Sequence, residues 1–145
     1  MIDLVGDQTM AVERERLGKV DSFEGLQRWR DAMLAANAAR RCRIGCSLGA
    51  LVVDVSDQDE LARQKLDDVF RDWRGLFEAL LRRFRDRGLI PADADIVRIA
   101  TSFIAAVQGG YLLARTAGDI TPMASAIDVS IEYLRLLVRP QRAAP

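Results

Sequence analysis

The residues best placed to do chemistry are two cysteines. Cys42 and Cys46 are separated by three residues and sit among Arg40, Arg41 and Arg43, with Cys46 just ahead of a predicted helix start. Positive charge and a helix N-terminus both favour the thiolate, so one reading of the pair is a redox switch. The other is that Cys46 is a small packed residue and Cys42 is incidental. Carboxylates are plentiful, but Asp67 and Asp68 fall on solvated helix positions, and Asp93 and Asp95 read as turn or cap residues. The sequence holds no histidine. That removes the usual general base and the commonest zinc ligand, and with them hydrolytic triads and metalloprotease helices. It also lacks a glycine-rich loop to cradle phosphate and a Glu-x-x-His motif for iron or manganese. The chain therefore reads as a non-enzyme with no metal and no other cofactor.

Charge narrows the partners. The 145 residues carry 21 basic and 21 acidic side chains, with a pI near 6.3. Nucleic-acid binding draws much of its affinity from neutralised phosphates, so a neutral chain is not expected to grip DNA by itself. The densest basic cluster, Arg82 to Arg87, is interrupted by Asp86 and reads as a solvated helix end. Two cysteines do not make a secreted disulfide framework. Asp3 and Asp7 interrupt the short apolar start, which has no basic leader, so no signal peptide is expected. The longest apolar stretch, Phe103 to Ala114, is too short to span a bilayer and contains Gln108. These features predict a soluble cytoplasmic protein without a membrane partner. With half of its residues hydrophobic, the chain is long enough for one domain with a substantial core.

The elements that must position these residues are helical almost throughout, with no sustained period-two alternation and no hairpin signal. A first helix, about Leu4 to Leu17, has a weak apolar stripe among many charges and no capping residue ahead of it. A second starts at Asp21, which forms a capping-box spacing with Glu24, and runs to about Ala39 with Leu26, Trp29, Met33 and Leu34 on its apolar side. A short helix from Ser47 to Val55 places Leu48, Leu51, Val52 and Val55 at i, i+3, i+4 and i+7. The longest runs from about Gln58 to Arg87, with Asp57 and Glu60 as a second capping-box pair and Gly88 as the expected left-handed terminator. Its apolar stripe is Leu66, Val69, Phe70, Trp73, Leu76, Phe77, Leu80 and Phe84. A fifth helix begins near Pro91, a residue favoured in the first turn, and runs to about Thr116. A sixth takes Thr121 as N-cap and Pro122 as its first residue, and reaches about Arg139. Residues 140–145 are expected to fray.

The last two helices are more apolar than one core requires. In the fifth, Ile96, Ala100, Phe103, Val107 and Tyr111 form one stripe, and a neighbouring face carries the small residues Ser102, Ala105, Ala106, Gly109 and Gly110. In the sixth, Met123, Ile127, Ile131, Leu134 and Val138 make one apolar face, while Ala126, Val129, Tyr133 and Leu136 make a second. The polar stripe of Asp128, Glu132, Arg135 and Arg139 between them is narrow. A helix apolar on both sides is normally buried on both sides. The simplest second partner is the same pair of helices from another subunit, giving an antiparallel helical bundle whose last two helices form a four-helix homodimer interface. The alternative is that both are central helices of a larger monomeric bundle.

The run from Arg41 to Gly49, containing Gly45-Cys46-Ser47-Leu48-Gly49, resembles the G-C-x-L-G element of TetR-type transcriptional regulators. It is followed in that family's order by the long helix with Phe70, Trp73 and Phe77, by Gly88-Leu89-Ile90, and by Ile99-Ala100 through Gln108-Gly109-Gly110-Tyr111-Leu112-Leu113-Ala114-Arg115. The resemblance covers about Phe23 to Val138 and is to the C-terminal regulatory half. Such regulators open with a three-helix DNA-binding unit, and no such unit precedes the match. The first helix, within about residues 1–20, would then be the connecting helix. An expressed fragment, a gene read from an internal methionine and a natural fragment are all compatible with this start.

The resemblance implies a pocket inside the bundle for a small, mostly apolar effector, whose binding moves the connecting helix and so changes the spacing of two DNA-binding units. Operator DNA would be met only through the N-terminal unit. Large residues able to line an imperfectly filled core are Trp29, Met33, Phe70, Trp73, Phe77, Phe103 and Tyr111, with Gln108 as a polar orienter. The alternative for each aromatic is plain core packing, and the alternative for the domain is a dimerisation scaffold that binds no ligand.

Overall fold

The computed structural model describes residues 1–55 and 59–138. Six helices make up the fold: α1 (Ile2–Leu17), α2 (Phe23–Ala39), α3 (Ser47–Val55), α4 (Glu60–Asp86), α5 (Ile96–Ala117) and α6 (Thr121–Leu137). No strand occurs among the described residues.

The helix starts follow the available acceptors. Ser22, not Asp21, caps α2, its hydroxyl accepting from the Gly25 amide at 3.1 Å. Asp21 instead pairs with Arg87 at 2.7 Å. Asp59 caps α4 by accepting from the amides of Leu61 and Ala62; the expected start at Gln58 and cap at Asp57 lie outside the described residues. α5 begins five residues later than Pro91 suggested, because Asp95 supplies an acceptor for the Arg98 amide whereas proline merely tolerates a first turn. Thr121 is the first residue of α6 rather than its cap, and Asp119 accepts from both its amide and its hydroxyl. The expected Arg139 end and the 140–145 tail lie outside the described residues.

The core is built on aromatic rings from three helices. Trp29 meets Phe77 edge-on at 5.2 Å between centroids, and Phe77 stacks on Phe103 at the same distance. Around them Leu26, Leu48, Leu80, Leu81, Val107, Met123 and Ile127 are fully buried. α5 and α6 approach most closely at Gly110, where a Cβ would lie 3.0 Å from the Met123 Cα. α6 presents its polar edge to α2: two of the three guanidinium nitrogens of Arg30 donate to the Asp128 carboxylate at 2.8 Å, and Arg135 lies 4.8 Å over the Phe23 ring.

The helix end at Arg82 to Arg87 does more than meet solvent. Arg83 donates to the carbonyl of Leu17, the last residue of α1, at 2.7 Å and to that of Val20 in the turn after it at 2.9 Å. α1 packs on α4 and α3 and buries Gly6, Met10, Glu13 and Leu17. α5, at 22 residues, is long and apolar enough to cross a membrane by length and composition alone. Its inner face of Ile99, Ala100, Phe103 and Val107 is nevertheless packed into the bundle like that of any core helix.

Candidate effector cleft

The turn before α3 is set by backbone conformation. Arg41, Cys42 and Gly45 all adopt positive φ, with Gly45 at +67°. This turn brings Ile44 and Cys46 beside α5 and starts α3 at Ser47. Between α3 and α5, with Phe70 of α4 at one side, lies a cleft of about 570 Å³. Its walls are mainly apolar: Ile44, Ala50, Val52, Val53 and Leu112, with the glycines Gly45, Gly49 and Gly109. A Cβ at Gly49 would come 2.9 Å from the Gln108 side-chain oxygen, so a larger residue there would shift the Gln108 amide.

Four groups give the cleft polarity: Cys46, Gln108, Tyr111 and Arg115. The Gln108 amide donates to Cys46 Sγ at 3.4 Å, which fixes its orientation along the wall. Burial pushes the Tyr111 phenol up to about 12, so it stays neutral and able to donate at physiological pH. It has no hydrogen-bond partner among the described residues. Cys42 is buried and Cys46 half-buried, and both are free thiols. The closed position of Cys42 removes the exposure on which a redox switch between the two depends.

Of the residues expected to line a pocket, Phe70, Gln108 and Tyr111 do so. Trp29, Met33, Trp73, Phe77 and Phe103 are at most 3% exposed and pack in the core rather than on the walls of this cleft. Trp73 stands behind the cleft, stacked on Phe70 at 6.4 Å, and its buried indole nitrogen acts to lower the Glu13 carboxyl. Sequence reasoning missed Gly49, Ala50, Val52 and Arg115 as cleft residues; their small size or position beside the G-C-x-L-G element was the available signal.

It also missed Glu13. This acid is 3% exposed on the inner face of α1. The Trp29 indole donates to it at 3.5 Å, and Arg16 bridges its carboxylate and the Met33 sulfur, each at 3.3 Å. Burial pushes its carboxyl above the usual range, against the lowering effect of Arg16. The spacing of Gly6, Met10, Glu13 and Leu17 marks that inner face in the sequence.

The second apolar face of α5 and α6 is open. Val129, Tyr133 and Leu136 are between 48% and 64% exposed; Ala105 is also exposed, while Ala106, Gly109 and Ala126 are half-buried. Gly110 does not belong to this face: it turns inward against Met123, where its missing side chain lets α5 and α6 touch. Leu112 and Leu113, at 66% and 56% exposed, extend the open face instead. No group of three or more acidic, cysteine or histidine side chains able to hold a metal occurs among the described residues.

A family profile described as tetracyclin repressor-like, C-terminal domain, matches residues 23–129, from the start of α2 into α6. The chain belongs to this family. A crystal structure of the regulatory protein TetR from Rhodobacter sphaeroides has the same fold, with a TM-score of 0.81 over 91% of this chain and 71% of that one, at 19% identity. No curated protein matches the chain. Cys46, Gly49 and Gln108, three residues behind the resemblance, meet in one wall of the cleft.

Proposed function

We propose that this domain senses a small, mostly apolar effector in the α3–α5 cleft, forms a homodimer through the open face of α5 and α6, and couples occupancy to operator binding by an N-terminal DNA-binding unit outside this sequence. The observation that carries the reading is the cleft: an apolar volume of ligand size with few, oriented polar groups. A route for coupling is supported by packing. α3 forms one wall of the cleft and also touches α1, the helix that would connect to the DNA-binding unit. A ligand that moved α3 would therefore bear on α1. A cytoplasmic, non-enzymatic regulator is consistent with this role.

A thermal-shift screen with apolar compounds, run on the parent domain and on Ala50→Trp, tests the reading. Ala50 is exposed on the cleft wall, so the substitution fills the cleft without entering the core. Compounds that raise Tm in the parent and lose their effect in Ala50→Trp are expected, because ligand binding stabilises the native state by mass action. If no compound class shifts the parent, the cleft is not an effector site. The exposed apolar face would then favour the second reading, a dimerisation scaffold without ligand.

A further inference from the structure

Among the described residues, Arg115 is the only ionisable cation on the cleft walls, and no acidic side chain lines it. Among the described residues Arg115 has no ion pair or hydrogen bond. Its stem passes Gly45, where a Cβ would lie 3.8 Å from the Arg115 Cδ. The loop supplying Ile44 and Gly45 carries Arg40, Arg41 and Arg43 as well.

Two helix ends bear on the field in the cleft. α3 starts at Ser47, so its positive end lies beside Cys46 on the wall and favours an anion. The C-terminus of α5 would oppose one, but its Ala114 carbonyl already accepts from the amides of Gly118 and Asp119. Asp119 is itself tied to Thr121 and does not reach the cleft.

Resting on the effector cleft proposed above, we infer that its ligand is an amphipathic anion, an apolar body ending in a carboxylate, with Arg115 as the charge partner. The apolar body lies against Val52, Phe70 and Leu112, while Gln108 and Tyr111 supply neutral donors along the wall. Planar guanidinium and carboxylate groups match as a pair of parallel hydrogen bonds.

The test is isothermal titration of octanoate, 1-octanol and octylamine into the domain and into Arg115→Gln, Arg98→Gln and Ala50→Trp. Octanoate is expected to bind about tenfold more tightly than octanol, the scale of one charge-assisted hydrogen bond in a partly open site, and octylamine more weakly than either. Arg115→Gln should bring octanoate down to the level of octanol and leave octanol unchanged. Arg98→Gln, an exposed arginine of α5 away from the cleft, should change nothing, and Ala50→Trp should abolish binding of all three. Equal binding of octanoate and octanol, both blocked by Ala50→Trp, overturns the anion preference and leaves the effector cleft standing. Equal losses in Arg115→Gln and Arg98→Gln also overturn it, since the effect is then one of overall charge. Absence of binding by any probe, or binding that survives Ala50→Trp, overturns the inference and the effector cleft together.

Discussion

Glu13 shows how one side chain can set the response of a helix to pH. Its carboxyl is buried between Trp29 and Arg16 and holds its proton more tightly than a free glutamate. Below about pH 4.5, where a free glutamate ionises, folded and unfolded chains both keep the proton and Glu13 costs little. As pH rises, the unfolded chain ionises first, so stability falls until Glu13 itself ionises in the native state. Glu13→Gln keeps an acceptor for the Trp29 indole and removes the titration. Urea titrations from pH 4 to 8 should find the variant more stable at neutral pH, with the advantage shrinking towards pH 4. A difference that is the same at every pH would show that burial of the charge is not the cause. In the sequence Glu13 is one of many charges on a weak stripe. The pattern could place the residue on an inner face, but only the packing of Trp29 and Met33 over it makes it a buried acid.

At the scale of elements, two contacts decide how the helices sit. Arg83 of α4 reaches the carbonyls of Leu17 at the end of α1 and of Val20 in the turn after it, and Arg83→Ala should destabilise the domain by about 1–2 kcal/mol, the cost of losing charged hydrogen bonds to half-buried acceptors. Faster hydrogen exchange in the C-terminal turn of α1, with α5 and α6 unchanged, would check that the loss is local. Gly110 is the contact point of α5 and α6. Gly110→Ala places a Cβ 3.0 Å from backbone of the facing helix, which cannot rotate away as a side chain can. We expect a loss of about 1–3 kcal/mol by denaturant unfolding, the usual scale of overpacking. The same two contacts show where sequence reading stops. Helix number and apolar stripes followed from the 3.6-residue period, and Phe23 to Ala39, Ser47 to Val55 and the α4 stripe stand nearly as read. Caps were misassigned by a residue or more, because Asp21 and Ser22, or Thr121 and Asp119, offer equivalent acceptors until chain direction selects one. The aromatic residues were read as pocket walls on size alone. Whether large side chains leave a void depends on ring angles such as the edge-on approach of Trp29 to Phe77, which no spacing encodes. Phe70, Gln108 and Tyr111 reached the cleft because they sit at the margin of the apolar stripes rather than at their centres.

For the whole molecule, the open face of α5 and α6 is the main unmet demand. Val129, Tyr133 and Leu136 are exposed on α6 within two turns of one another, and exposed apolar surface of this kind marks an interaction site. A double variant, Tyr133→Glu and Leu136→Glu, should convert a dimer to a monomer in size-exclusion chromatography with light scattering, while circular dichroism keeps its helical signal. A parent domain that is already monomeric at high micromolar concentration would refute the interface.

Leu112 belongs to two surfaces at once. It lines the cleft and is two-thirds exposed, on the helix whose open face is proposed above to meet a second subunit. A partner seated there would add to the cover of the cleft, and an occupant of the cleft would add to the surface the partner meets. Two binding events that share a wall are thermodynamically linked, each changing the other's affinity by the same factor. The effector's apparent Kd would then depend on protein concentration, so that the domain reads its own abundance together with its ligand.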